Sequence, residues 1–395
     1  MMDDFNLDNL EIDFDNLDMD DMFEVSDVVD DEEIEVPHIK LHTKDFLGAL
    51  RRAKTIISSS AKDLMSKSVC MQVIDNELYV NATNFDVFIE TKAPIINTDN
   101  ILDKAIVCPI NTLFQLAKAF PSTVTLLEEE GKIKVRLIGG SIDIETIEIS
   151  RDKFLMHDEV APQGEMDVQD FNAILNAFAS ISQNAVSPTE KRIIFNKDGA
   201  MASYMFTMAC REGEYPEFDV KMKDLSVLRM LTNSQQGKLR TYKVVDEKAS
   251  SRFVIEHESF KYTFLVGECS FNKILVNAYK EADFENGGFI EFANMYKLVE
   301  LSSTLNYSAG KILMKFTDTN NLELVIPTKS GNNVFNLEVT PKGNIIPNIQ
   351  QEVPAKMLYS MLKVFQKNIM LVVYINEEGL VLSNDDFKGI ILLDA

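Results

Sequence analysis

The sequence predicts an α+β fold of six repeated units, each a helix followed by a small antiparallel sheet, arranged as three similar domains. Three observations carry this. Six segments place apolar residues three and four apart, the spacing of an amphipathic helix. Each is followed by short runs of alternating apolar and polar residues broken by turn residues. The helix starts lie about 54–70 residues apart, so one pattern recurs along the 395-residue chain.

The first helix is predicted over 43–57, with strands at 69–74, 78–82 and 87–91 and a tight turn at Asp75-Asn76. The second, over 110–120, precedes strands at 124–127, 133–138 and 141–147. The third, over 167–182, precedes strands at 192–195 and 202–211, separated by the turn Lys197-Asp198-Gly199. The fourth, over 221–232, leads to 239–245, 252–256 and 261–266. The fifth, over 291–304, leads to 312–317, 322–327 and 333–340. The sixth, over 354–367, leads to 369–375, 380–383 and 389–393. A lone unit would expose sheet edges and an apolar face, and pairing neighbours removes both problems. The expected domains are 37–150, 151–270 and 271–395, after a tail over 1–36. Connections near 150–165, with Pro162 and Gly164, and near 270–288, with Gly287-Gly288, fit those boundaries.

Charge divides the chain in two. The whole carries 62 Asp+Glu against 39 Lys+Arg, a net of -23. Residues 1–36 hold 16 of those acids and no Lys or Arg, leaving a body with a net of only -7. Taken whole, the charge argues against nucleic acid; taken by region, it does not. No apolar run is long enough to span a membrane, and the N-terminus has acids where an export signal needs bases. A cytoplasmic location, at the nucleoid or in an infected host, is expected, with no membrane partner. Cys70, Cys108, Cys210 and Cys269 are far apart and read as free buried thiols rather than a zinc site or disulfide framework. Phosphate-loop, dinucleotide, zinc-protease and nucleophile-elbow motifs are all missing. No cofactor, metal or catalytic residue is expected. His38 and His42 have metal-ligand spacing, but their surroundings alternate like a strand.

The helix faces opposite the predicted core carry the functional signal. In the first helix Lys44, Gly48, Arg51 and Thr55 lie opposite Phe46, Leu50, Ala53 and Ile57, with Arg52 alongside. The second presents Asn111, Gln115 and Lys118; the third Gln169, Asn176 and Ser180; the fourth Lys223, Ser226 and Arg229; the fifth Lys297. The sixth presents Lys356, Ser360, Lys363 and Lys367. None of these faces has a carboxylate near its centre, in a body with more acids than bases. Such a lining suits sequence-blind contact with phosphates.

At this point the chain resembles the bacterial DNA polymerase III β-subunit, the sliding-clamp family, over about 37–395. The segment Met71–Asp86 is similar to the family's first-domain hairpin and the Thr-Asp segment after it. Val107-Cys108-Pro109-Ile110 resembles its Val-Pro lead into a helix, and Phe264-Leu265-Val266-Gly267-Glu268 with Phe271 its Leu-Val-Asp-Gly-x-Phe closing segment. The resemblance implies the DNA clamp fold: helices lining a ring, sheets outside, and two chains joined head to tail. It implies a processivity factor without catalytic activity, encircling double-stranded DNA and tethering a DNA polymerase after a clamp loader has closed the ring. Partners would insert short hydrophobic peptides into a cleft, here Met205, Phe206, Met208, Leu392 and Leu393.

Two departures stand out. Where the family commonly has Thr-Asp-Gly-His-Arg-Leu, this chain has Ser203-Tyr204-Met205-Phe206-Thr207-Met208, and its end, Ile391-Leu392-Leu393-Asp394-Ala395, differs from the family's Met-Pro-Met-Arg-Leu. Divergence of this degree fits a virus-encoded or otherwise remote clamp. The alternatives are a clamp-like protein scaffold or DNA-tracking transcription coactivator, and, with least support, an enzyme with a cryptic carboxylate pair. The tail alternates its acids with Phe5, Leu7, Leu10, Ile12, Phe14, Leu17, Met19, Met22 and Phe23. It reads either as a disordered solubilising segment or as an interaction segment that folds on a partner or covers the protein's own surface.

Overall fold

The computed structural model describes residues 36–393 apart from 58–61, 98, 100, 103, 121, 130–131, 138–139, 157–158, 186–190, 246–250, 268–272, 305–309, 329–330 and 367–368. Residues 1–35, Cys269 and Lys367 lie outside the described residues.

Each unit is a strand, a helix and a three-stranded meander. The first comprises β1 (His38–His42), α1 (Thr43–Lys54), β2 (Ser68–Ile74), β3 (Glu77–Thr83) and β4 (Phe88–Pro94). The second is β5 (Ile106–Pro109), α2 (Ile110–Ala117), β6 (Thr123–Glu129), β7 (Lys132–Leu137) and β8 (Gly140–Glu145). The third is β9 (Val160–Asp167), α3 (Val168–Asn184), β10 (Arg192–Asn196), β11 (Gly199–Tyr204) and β12 (Thr207–Arg211). The fourth is β13 (Phe218–Lys221), α4 (Met222–Thr232), β14 (Lys238–Val244), β15 (Arg252–His257) and β16 (Phe260–Leu265). After a further helix, α5 (Lys273–Glu281), the fifth unit is β17 (Gly288–Glu291), α6 (Phe292–Thr304), β18 (Lys311–Phe316), β19 (Asn321–Thr328) and β20 (Gly331–Glu338), followed by the short β21 (Thr340–Pro341). The sixth is β22 (Gln350–Pro354), α7 (Ala355–Leu362, continued by one 3₁₀ turn), β23 (Met370–Ile375), β24 (Gly379–Ser383) and β25 (Lys388–Leu392).

Local chemistry sets the turns. Asp75 and Asn76 both take positive φ, the backbone a two-residue hairpin needs. At Gly199, φ is +145° and an added Cβ would sit 2.6 Å from the Arg211 carbonyl oxygen, so only glycine closes that hairpin. An Asn-x-x turn recurs across the molecule: Asn84 accepts from Val87 N at 3.0 Å, Asn376 from Gly379 N at 2.9 Å and Asn384 from Phe387 N at 2.6 Å. Asp167 caps α3 by accepting from Gln169 N and Asp170 N.

Two pairing rules build the sheets. First, the strand ahead of each helix joins its sister unit's sheet: β1 pairs β6, β5 pairs β2, β9 pairs β14, β13 pairs β10, β17 pairs β23 and β22 pairs β18. Each swap covers an edge that would otherwise be open. Second, the last strand of one unit pairs with the last strand of a distant unit, β4 with β16 and β12 with β25. The result is an eight-stranded and a nine-stranded sheet flanked by two four-stranded ones. The helices follow the same order in a row of neighbours, α2, α1, α4, α3, α7 and α6. Their apolar faces and the inner sheet faces form one continuous core. Within it Phe195, Phe218 and Phe253 stack at 4.6 and 4.4 Å between ring centres, tying the two large sheets together.

The structure corrects three expectations. The stretch 270–288, read as a connection, contains α5. The helix covers the outer face of the nine-stranded sheet through Leu275 and Tyr279, away from the main core. The single strand expected over 202–211 is two, β11 and β12, because Met205 takes φ +52° and reverses the chain. Ser180 and Ser360, placed on outward faces, lie between α3 and α7, where the Ser180 hydroxyl donates to the Ser360 carbonyl at 3.0 Å. Cys70, Cys108 and Cys210 are free and buried, and burial pushes the Cys70 and Cys210 thiols up to about 11 and that of Cys108 to about 12.

Candidate nucleic-acid interface and partner cleft

The surface of the helix row is built from the residues that the core leaves over. Lys44 and Arg51 on α1, Lys118 after α2, Lys223 and Arg229 on α4, Lys297 on α6 and Lys356 on α7 are exposed. Among the described side chains of these six helices no carboxylate is fully exposed: Asp45, Asp170 and Glu300 are half-buried and Asp224 is buried. Those acids are turned inward by partners. Asp170 accepts from the Tyr215 hydroxyl at 2.9 Å and pairs with Arg211; Asp224 accepts from the Tyr262 hydroxyl at 2.9 Å; Glu300 accepts from Tyr359 at 3.2 Å.

The cations are differently held. Arg52 is half-buried, and burial lowers its pKa while Asp45 opposes the shift; a guanidinium stays charged regardless. The Arg229 Nε donates to Asn176 Oδ1 at 2.6 Å, which fixes its guanidinium on the α3–α4 seam. Lys363 is half-buried over the Tyr359 ring at 4.5 Å. Lys223 lies 3.9 Å from Asp86 of the first unit. Lys118 and Lys54 flank the Phe114 ring at 4.8 and 4.7 Å. Lys54 was missed from sequence because it sits at the edge of its helix's polar arc. Only the packing of α1 on α2 brings it beside Lys118.

The five cleft residues converge on the junction of β12 and β25. Met205 and Phe206 form the hairpin turn and are 48% and 43% exposed. The Leu392 N–H donates to the Phe206 carbonyl at 2.9 Å, which holds the chain end against that turn. Leu392 and Leu393 are half-buried, and Met208 is fully buried beneath α5 with Leu275, Tyr279 and Ile390. Met208 therefore forms the floor, while Met205 and Phe206 form the accessible rim. The role of α5 as a wall was missed, although Leu275 and Tyr279 have the i, i+4 spacing that marks a buried helix face. Charged pairs brace the rim: Arg211 reaches Asp386 at 3.4 Å and Lys388 reaches Glu212 at 2.7 Å.

The sequence matches no protein-family model and no curated protein. Solved structures do match. The DNA polymerase sliding clamp from Pseudomonas aeruginosa superposes with a TM-score of 0.71 at 13% identity, covering 90% of this chain and 98% of that one. The Bacillus subtilis sliding clamp gives 0.71 at 11% identity over 90% and 98%. The Helicobacter pylori β clamp bound to a DNA ligase peptide gives 0.71 at 13% identity over 90% and 99%. This chain has the sliding-clamp fold.

Proposed function

We propose that the protein is a DNA sliding clamp, a processivity factor that encircles duplex DNA and tethers a polymerase without catalysing a reaction itself. The observation that carries this reading is the strand-pairing rule. Four of the six last strands pair across units within the chain, and β8 and β20, at the two ends of the row, have no such partner among the described residues. Pairing β8 of one copy with β20 of another extends the same rule between chains and closes two copies head to tail. Ile142 on β8 is 39% exposed and Val334 on β20 is 53% exposed, apolar side chains suited to such a joint.

Closed in this way, twelve helices line the hole, and Lys44, Arg51, Arg52, Lys118, Lys223, Arg229, Lys297, Lys356 and Lys363 face phosphates. Retention is topological, so a thinly basic lining is enough. The units group into domains over 37–150, 151–270 and 271–395. The rim of Met205 and Phe206 with Leu392 and Leu393 takes hydrophobic peptides from polymerase and loader, as the Helicobacter pylori clamp takes a ligase peptide. Two experiments test the reading. Ile142→Asp with Val334→Asp should turn a dimer into monomers by light scattering, weakening association by about a hundredfold or more. The loaded wild-type protein should stay on nicked circular DNA and run off after linearisation; equal loss from both sinks the ring.

A further inference from the structure

Two segments pack on the outside of a large sheet: α5 (Lys273–Glu281), which covers the β12–β25 junction, and residues 146–156, over the β4–β16 junction. In the first-junction crossing a 3₁₀ turn (Arg151–Phe154) buries Phe154 against Cys70 and Val107. Beside it lies a cavity of about 240 Å³. Its floor is one cross-strand row, Asn81 opposite Glu90 opposite Lys261, and Arg151, Phe88 and Phe154 complete the walls.

This cavity is built for an acceptor. Asn81 is 1% exposed, and its Nδ2 has no hydrogen-bond partner among the described residues. Arg151 Nε is likewise buried and unpartnered there. Buried donors left unpaired cost free energy that an oxygen ligand would recover. Arg151 and Lys261 bring two positive charges against the single carboxylate of Glu90, whose ionised form burial already disfavours. Lys92 also acts favourably on Glu90, and Glu256 opposes it. The two phenylalanines add apolar surface next to the donors, and the Arg252 guanidinium lies 5.5 Å from the Phe88 ring.

We propose that this cavity binds a carboxylate side chain, and that the carboxylate comes from the chain's own residues 1–35. That segment has 16 acids, no Lys or Arg, and Phe and Leu interleaved with the acids, which matches a cationic donor floor between aromatic walls. Thirty-five residues reach up to about 115 Å when extended, so distance from Val36 sets no obstacle. At the equivalent register of the other junction stand Ser203, Met208 and Ile390, a row with no cation and no amide donor for an acid. The acidic segment thus occupies the first junction and leaves the second open.

Amide hydrogen exchange on the full-length protein tests this. The comparison chain carries Asn or Gln at all 16 acids of residues 1–35. Exchange over 151–156 should be roughly tenfold slower in the wild type, independent of protein concentration. Arg151→Gln with Lys261→Gln should abolish the slowing, and Glu90→Gln, which removes the opposing charge, should deepen it. The proposal is overturned by equal exchange in wild-type and amide-substituted chains, by slowing confined to α1, α2 and α7, or by protection that grows with protein concentration. Loss of slowing in Glu90→Gln overturns it too, since that outcome marks a structural role for the row.

Discussion

The β4–β16 and β12–β25 junctions solve one backbone problem with two chemistries. In both, two meanders separated in sequence join last strand to last strand, and an Asn-x-x turn stands beside the joint. In both, a segment from elsewhere in the chain packs over the outer face: the Arg151–Phe154 turn after β8 at the first joint, and α5 after β16 at the second. The first junction has Asn81, Glu90 and Lys261 in the row where the second has Ser203, Met208 and Ile390. The cover differs accordingly: a single 3₁₀ turn over a polar floor, and a nine-residue helix over an apolar one. An apolar floor stabilises whatever apolar surface lies on it, which favours a helix there. A polar floor has no such use for a helix and leaves a cavity.

The comparison can be broken most severely at the anchor of the second crossing. Asp219 is fully buried, accepts from Gly267 N at 2.5 Å and pairs with Arg192 at 3.2 Å. Asp219→Ala removes a fully buried carboxylate that holds both Gly267 N and Arg192, and should cost about 3–5 kcal/mol in denaturant unfolding. A cost near zero would mean that the crossing holds without its anchor. The covers themselves come next. Leu275→Ala and Phe154→Ala each empty a buried site and should cost about 2–5 kcal/mol. Only Leu275→Ala should also weaken a bound hydrophobic peptide, read by fluorescence polarisation; equal weakening by both would erase the distinction between the junctions.

The smallest effect sharpens the comparison by exchanging floors. Glu90→Met with Lys261→Ile gives the first junction apolar residues in place of a partly buried charged row and should stabilise by about 1 kcal/mol at neutral pH. The sign of its pH dependence follows from Glu90. Burial raises that carboxyl's pKa, so the folded chain binds its proton more tightly than the unfolded chain does. The stability this supplies is present at low pH and is lost as pH rises through the carboxylate range. The advantage of the double variant should therefore shrink in acid, and thermal melts at neutral and acidic pH would show it.

Much of this was legible in the residues. The Asp75-Asn76 turn, the apolar faces of Phe46–Leu50 and Leu358–Phe365, and the sorting of Lys and Arg away from acids are local patterns, because a helix face or a hairpin is set by neighbours within a few positions. The β12–β25 junction was legible only in part. Phe206 and Leu393 could be suspected, but Met208 is floor rather than rim because α5 lies over it, and α5 breaks the repeat that made the rest readable.

The sequence by itself determined six units, their helices and turns, and a charge division between an acidic segment and a nearly balanced body. Tertiary structure alone decided which strands meet. The swap of each leading strand into its sister sheet, the β4–β16 and β12–β25 joints, and the edges of β8 and β20 depend on pairings between residues far apart in the chain. Period-two patterning specifies which face of a strand is buried, but it does not name the neighbour. That choice falls to the packing of all six helices on one continuous core, and it sets both the open ends of the row and the two unlike junctions between them.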